Sequence, residues 1–370
     1  MKFTCSQQNL SYGLNQVQKA VSTRNTLPIL LGVKIKASED GIHLQATDLE
    51  LSIACHIPAE VEIAGEVVLP ARYFVDIVRN LPSTVISAEM NEDNYYVKIK
   101  AGKSEFNLHG LSAEEFPTGP SIDDHSSFEV SAELMRNAIH ETLFAVSHDE
   151  SRPVFTGILI EKQNDKLTFV ATDGYRLSVK HSDIESPKEF PTIIVPSKAA
   201  AELYRLLSGK GFEEVKVQIS NNQIMVQFPD TILLSRLIDG QFPNYQQIIP
   251  KQQPLALEIE RDVFLRTLER VGLITKDGPN IVRIHVTKDE KMIITARSPE
   301  VGDTYDEIPI SSEEKEIKIA FNVKYLTDAL KVLVDEKVIF SLTEELKPAT
   351  IKPADSTDFQ YVVLPVRLPQ

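Results

Sequence analysis

Ser178, Asp173 and His148 are the residue types from which a nucleophilic triad is assembled, so a hydrolase is the first chemistry to test. Such an enzyme presents its serine on a strained strand-to-helix turn, and no G-x-S-x-G occurs here. Asp173-Gly174 reads instead as a tight-turn pair. No H-E-x-x-H, P-loop or glycine-rich dinucleotide fingerprint is present. Cys5 and Cys55 are the chain's two cysteines; without a C-x-x-C or a Cys/His cluster they read as reduced core thiols. No catalysis, cofactor or metal is expected.

The same stretch organises the chain in another way. Ala171-Thr172-Asp173-Gly174-Tyr175-Arg176-Leu177 has an echo 125 residues upstream at Ala46-Thr47-Asp48-Leu49-Glu50-Leu51, and Ile293 to Ser298 holds the corresponding place downstream. Pro28 to Ile35, a β-rich run, recurs as Pro153 to Ile160 and Pro279 to Val286. Phe3-Thr4-Cys5-Ser6 recurs as Phe128-Glu129-Val130-Ser131, Val68-Leu69-Pro70 as Ile194-Val195-Pro196, and Phe116-Pro117 as Phe242-Pro243. Several landmarks at one nearly constant offset indicate three copies of a single unit.

Each copy must supply the elements that hold these residues. Ser6 is a plausible N-cap for a helix to about Ser22, with Leu10, Leu14, Val17 and Val21 on one face. A hairpin turning at Ser38-Glu39-Asp40-Gly41 follows, then a helix from Ala71 to Asn80 stopped by Pro82, and a second hairpin turning at Asn91 to Asn94. The unit is α+β, with two helices on one face of antiparallel sheet. At 370 residues the chain accommodates three such domains, placed at 1–120, 121–252 and 253–370. The N-terminus has no apolar run of signal-peptide length, and no stretch has 18 uninterrupted apolar residues, so a cytoplasmic location is expected.

A formal net charge of −14 argues at first against a polyanionic partner. The six helix spans, however, carry +5 between them, which leaves −19 on the remainder. A positive helix set in a negative body is what a ring with a DNA-facing lumen requires. Ordinary solvated helix faces would produce a similar pattern.

With three repeats, this charge pattern and the 171–177 stretch, the chain resembles the bacterial sliding clamp family, the beta subunits of DNA polymerase III, over its full length. Met1-Lys2-Phe3, Phe242-Pro243-Asn244-Tyr245 and Tyr361 to Leu368 share in that resemblance. The resemblance implies three clamp domains per chain, two chains closing head to tail as a homodimeric ring around duplex DNA, and a tether for the replicative polymerase. The clamp loader, other polymerases and mismatch-repair proteins would dock through a short linear motif. It places Arg24, Arg72, Arg79, His148, Lys198 and Arg205 near DNA, while Asp149 departs from the family's usual uncharged residue. It places the partner pocket at Arg152, Phe155, Thr172, Gly174, Tyr175, Arg176, Leu177, Pro243, Ile248, Pro348, Val362, Leu364, Pro365, Val366, Arg367 and Leu368, with Arg152 and Arg176 free to pair with polar groups of the incoming peptide. It places Phe106 and Leu108 opposite Leu273 and Ile274 at the dimer interface. Pro369 and Gln370 extend beyond the family's usual Arg-Leu end. The rival reading is a repeat scaffold that binds proteins without encircling DNA.

Overall fold

The computed structural model describes residues 1–23, 27–122, 126–163, 165–183, 190–209, 211–252, 254–276, 278–311 and 315–367. The chain forms two compact units, Met1–Glu133 with Glu202–Leu237, and Leu134–Ala201 with Ile238–Gln370. The six expected helices are α1 (Gln7–Val17), α2 (Ala71–Asn80), α3 (Ala132–Leu143), α4 (Ser197–Leu207), α5 (Arg261–Gly272) and α6 (Val323–Val332). No helix among the described residues is long and apolar enough to cross a membrane.

Local signals account for the helix limits. The Ser6 hydroxyl accepts a hydrogen bond from the Asn9 amide at 3.1 Å, and the Asn322 side chain does the same for Lys324 at 2.9 Å, each satisfying an amide that the helix itself leaves unpaired. Leu10, Leu14 and Val17 form the buried stripe of α1, which ends in one 3-10 turn, Gln18–Ala20. In α2 the stripe is Phe74, Val75 and Val78, and the helix stops at Asn80, just ahead of Pro82.

The first unit holds two antiparallel sheets. One has five strands in the order Glu60–Ile63, Lys2–Ser6, Val85–Met90, Tyr96–Ala101, Ser104–His109. The other has eight: Ser126–Ser131, Glu214–Ile219, Gln223–Gln227, Thr231–Arg236, Leu51–Ile57, Gly41–Thr47, Gly32–Ser38, Gly65–Pro70. Its middle joint pairs a second-repeat strand with a first-repeat strand, Thr231 opposite Cys55 and Leu233 opposite Ile53.

The second unit repeats the plan. Its eight-stranded sheet runs Ile193–Pro196, Gly157–Gln163, Lys166–Thr172, Arg176–Asp183, Phe359–Val363, Ala349–Pro353, Lys337–Leu342, Leu255–Glu260, and its joint sets Arg176 opposite Val363 and Ser178 opposite Tyr361. A four-stranded sheet, Gly302–Pro309, Lys291–Ser298, Ile281–Val286, Ile317–Asn322, completes it. Phe264, Phe321 and Phe340 stack in its core with ring centroids 5.3 and 6.1 Å apart.

One expectation changes. Pro28–Leu31 and Pro153–Thr156 are 3-10 turns, and the strands begin only at Gly32 and Gly157. Proline lacks the amide that a sheet ladder needs and fixes the φ that a helical turn wants, so the run opens as a turn despite its β-branched content.

Candidate functional site

The 171–177 stretch is a turn whose side chains replace missing backbone partners. Asp173 Oδ1 accepts from the amides of Tyr175 and Arg176 at 2.8 and 3.0 Å, and Thr172 Oγ1 accepts from the Gly174 amide at 3.0 Å while donating to the Arg176 carbonyl. The first-repeat echo is the same turn: Asp48 Oδ1 accepts from Glu50 and Leu51, and Thr47 Oγ1 from Leu49. The position after Asp has positive φ in both, 78° at Leu49 and 92° at Gly174. At Gly174 a Cβ would also lie 3.2 Å from the Arg152 guanidinium, so glycine meets both constraints.

Beside this turn opens a groove. Phe155, Thr172, Gly174, Tyr175, Arg176, Leu177, Pro243, Ile248, Val362 and Leu364 line it, all of them expected from the sequence. Phe242 and Tyr245 line it too and were not expected. Phe242 meets Phe155 edge to face at 5.9 Å, and the buried Tyr245 donates its hydroxyl to Glu161 at 2.8 Å. The signal for them was the Phe116/Phe242 echo. In the first repeat Phe116 is buried against Ile29, Val68 and Ala113, whereas Phe242 is only half-buried in a cluster with Leu177, Tyr245 and Val362.

Arg176 is the polar anchor of the groove, and its donors are already committed. Nε donates to Asp173 Oδ2 at 3.0 Å, Nη1 to Asp328 Oδ2 on α6 at 2.8 Å, and Nη2 to the Phe144 carbonyl at 2.7 Å. Its guanidinium carbon lies 4.6 Å from the Tyr325 ring centroid and 5.6 Å from that of Phe144. With only 8% of the side chain exposed, it supplies a rigid wall instead of the free donor expected from sequence.

Arg152 is exposed and borders the groove, its guanidinium 5.2 Å from the Phe155 ring centroid and 3.7 Å from the Asp149 carboxylate. The aberrant Asp149 is thus an ion-pair partner whose own carboxyl is held below the usual range by hydrogen bonds from Ser151 and by Arg152. Pro348 lines an adjoining depression that shares Ile248 with the groove. Pro365, Val366 and Arg367 do not line the groove; the Val366 amide instead fixes the tail to the Ala320 carbonyl at 2.8 Å, and the Leu364 amide bonds the Tyr175 carbonyl. Leu368, Pro369 and Gln370 lie outside the described residues, as does Arg24.

Among the other basic candidates Arg72, Arg79, His148 and Lys198 are exposed. Arg79 lies 3.7 Å from Asp76. Arg205 is half-buried, donating to Glu202 at 2.7 Å and to Gln16 of α1 at 2.8 and 3.0 Å, so its charge serves a contact between α4 and α1. Phe106 and Leu273 are exposed, while Leu108 and Ile274 are partly buried. The triad dissolves: Ser178 is buried and donates to the Glu141 carbonyl at 2.6 Å, Asp173 serves Arg176 and its own turn, and His148 is exposed.

The fold is the one seen in DNA polymerase sliding clamps. The solved clamp from Bacillus subtilis superposes with a TM-score of 0.94 at 33% identity, with 100% of both chains covered. A sliding clamp from Pseudomonas aeruginosa bound to griselimycin superposes at 0.93 and 30%, again over the whole of both. The "Beta sliding clamp" of Bacillus subtilis is 34% identical over 378 residues, 99% of this chain and 100% of the relative. Family profiles for the N-terminal, central and C-terminal domains of the DNA polymerase III beta subunit match residues 1–120, 129–244 and 246–367. The chain belongs to the DNA polymerase III beta subunit family.

Proposed function

We propose that the chain is a DNA sliding clamp, a non-catalytic ring of two copies that encircles duplex DNA and tethers the replicative polymerase. The observation that carries this reading is the groove between Phe155, Phe242 and Val362, lying in a chain that matches clamps along its whole length. An apolar floor with a fixed polar wall suits a short linear segment with large apolar side chains. Clamp loader, polymerases and repair proteins would present such segments in turn. The division into domains 1–120, 121–252 and 253–370 belongs to this reading.

Strand positions support head-to-tail assembly. In the repeats, Thr231–Arg236 seats on Leu51–Ile57, and Phe359–Val363 seats on Arg176–Asp183. Ser104–His109 holds the first kind of place and Gly302–Pro309 the second, and both are edges of their sheets among the described residues. A second copy would complete the joint, with Phe106, Leu108, Leu273 and Ile274 beside it. Arg72, Arg79, Lys198, His148 and Arg24 would then give weak phosphate contacts without sequence preference. Arg205, committed to Glu202 and Gln16, contributes less.

Retention on nicked circular DNA, after loading with clamp loader and ATP and in salt that erases phosphate binding, tests encirclement. The chain should stay on circles and be lost once the circle is linearised. Loss from both, with an active loader, would leave the non-encircling scaffold instead.

A further inference from the structure

Far from the groove in sequence, at the far end of the first hairpin, three metal-capable side chains converge. His43 on the Gly41–Thr47 strand and His56 on the Leu51–Ile57 strand stand directly opposite each other in the ladder, with ring centroids 4.8 Å apart. Asp40, in the turn before the Gly41–Thr47 strand, reaches both: its Oδ2 is 2.9 Å from His43 Nε2 and 3.9 Å from His56 Nε2. The three ligand atoms lie within 4.8 Å of one another, the one such His/Cys/Asp/Glu group among the described residues. Linear spacing did not reveal it, because twelve residues and a strand reversal separate the two histidines.

We propose that Asp40, His43 and His56 form a binding site for a borderline divalent transition cation, with Zn²⁺ as the type ligand. Two imidazole nitrogens and one carboxylate are one of the donor sets of three-ligand zinc sites, the fourth position going to water. Zinc–ligand bonds of about 2.0–2.2 Å put tetrahedral ligand atoms roughly 3.3 Å apart. The present separations bracket that value, so modest side-chain rotation brings all three to a common centre.

Two features prepare the site. The Ser38 hydroxyl donates to Asp40 Oδ1 at 2.8 Å, which leaves Oδ2 turned to the histidines. An outer partner that fixes a ligating carboxylate in this way is typical of metal centres. Gly41, at φ 133°, provides the space into which His56 reaches, since a Cβ there would stand 2.9 Å from His56 Nε2. His56 Nε2 is also 2.9 Å from the Asp40 carbonyl, an oxygen that competes for it when no cation is bound. Imidazole donors favour zinc, nickel and copper over magnesium.

Titration calorimetry of the full chain with Zn²⁺ alone, and separately with Mg²⁺, tests the site. One Zn²⁺ per chain should bind saturably, raise the thermal unfolding midpoint, and be reversed by chelator, while Mg²⁺ gives neither effect. His43→Gln and His56→Gln should each weaken binding by more than about tenfold, because losing a ligand costs more than the loss of an outer partner. Ser38→Ala, which spares every ligand and is a milder risk to folding, should weaken it by about tenfold. Zinc binding that is undiminished in the histidine variants would assign the heat to other histidines and overturn the proposal. So would equal affinity for Mg²⁺, or no saturable binding in a chain whose circular dichroism is native.

Discussion

Arg176 shows how one residue turns a sheet joint into the wall of a groove. Its strand pairs with Phe359–Val363, its guanidinium bonds α6 through Asp328, and its flank faces the groove. Removing one partner of a buried ion pair leaves the other charge uncompensated, at a cost of about 3–5 kcal/mol. Arg176 keeps its ion pair with Asp173 at 3.0 Å when Asp328 is lost, and Lys324, held by Asp328 at 2.8 Å, is exposed to solvent, so the cost falls below that range. Asp328→Asn should therefore lower the unfolding midpoint and weaken binding of a clamp-binding peptide by about tenfold, or ~1.4 kcal/mol. Lys324→Ala, which leaves Arg176 and Asp328 paired, should leave peptide affinity unchanged. Fluorescence anisotropy with a labelled peptide separates the two; equal affinity in Asp328→Asn and the parent would show that the orientation of Arg176 does not matter for docking. Asp328 itself was not legible as a groove residue, because its part is played through Arg176 from 152 positions away.

At the level of elements the repeat pattern made most of the fold legible, since periodic apolar stripes and caps are local signals. The limits of α2 follow directly from Pro70 and Pro82. What escaped was the competition inside Pro28 to Ile35 and Pro153 to Ile160, where proline outweighed β-branched neighbours, and the closure of the first-repeat pocket by Phe116 where Phe242 leaves the second open. The first is a local effect of proline that outweighs its neighbours, whereas the second depends on packing partners far along the chain. The joint strands carry a further property that only the fold reveals. His181 sits on Arg176–Asp183 with Nδ1 2.9 Å from Thr168 Oγ1. Burial holds its pKa below the ordinary 6.5, Lys166 and Lys180 push the same way, and Asp358 opposes them. A lowered histidine contributes stability that is fully present above 6.5 and is lost as pH falls through the folded value. Acidification from pH 7.5 to 5 should thus cost the parent more denaturant midpoint than it costs His181→Gln. Parallel losses in the two chains would mean that His181 is not the group responsible.

For the whole molecule the decisive question is what covers the sheet edges at Ser104–His109 and Gly302–Pro309. Exposed edge strands invite pairing with another chain, and proteins usually blunt them or use them. Ser104–His109 presents Phe106 at 37% exposure, Gly302–Pro309 presents Tyr305 at 59%, and Leu273, just past α5, stands 58% exposed. Because the edges differ, a contact between them is heterologous, and two copies can close it only by using both edges of each chain. Each chain then contributes a Phe106 face to one joint and a Leu273 face to the other. Leu273→Asp spoils both joints of a homodimer, so light scattering should report the 41.4 kDa of a single chain instead of twice that. Phe106→Asp should do the same. An equimolar mixture of the two variants can still form one joint free of either substitution, with the other joint carrying both. The mixture should therefore recover part of the doubled mass, with weaker concentration dependence than either variant alone. A self-complementary interface, in which Leu273 faces Leu273 of the second copy, would give no such recovery, and an unaltered dimer in Leu273→Asp would remove that residue from the interface altogether.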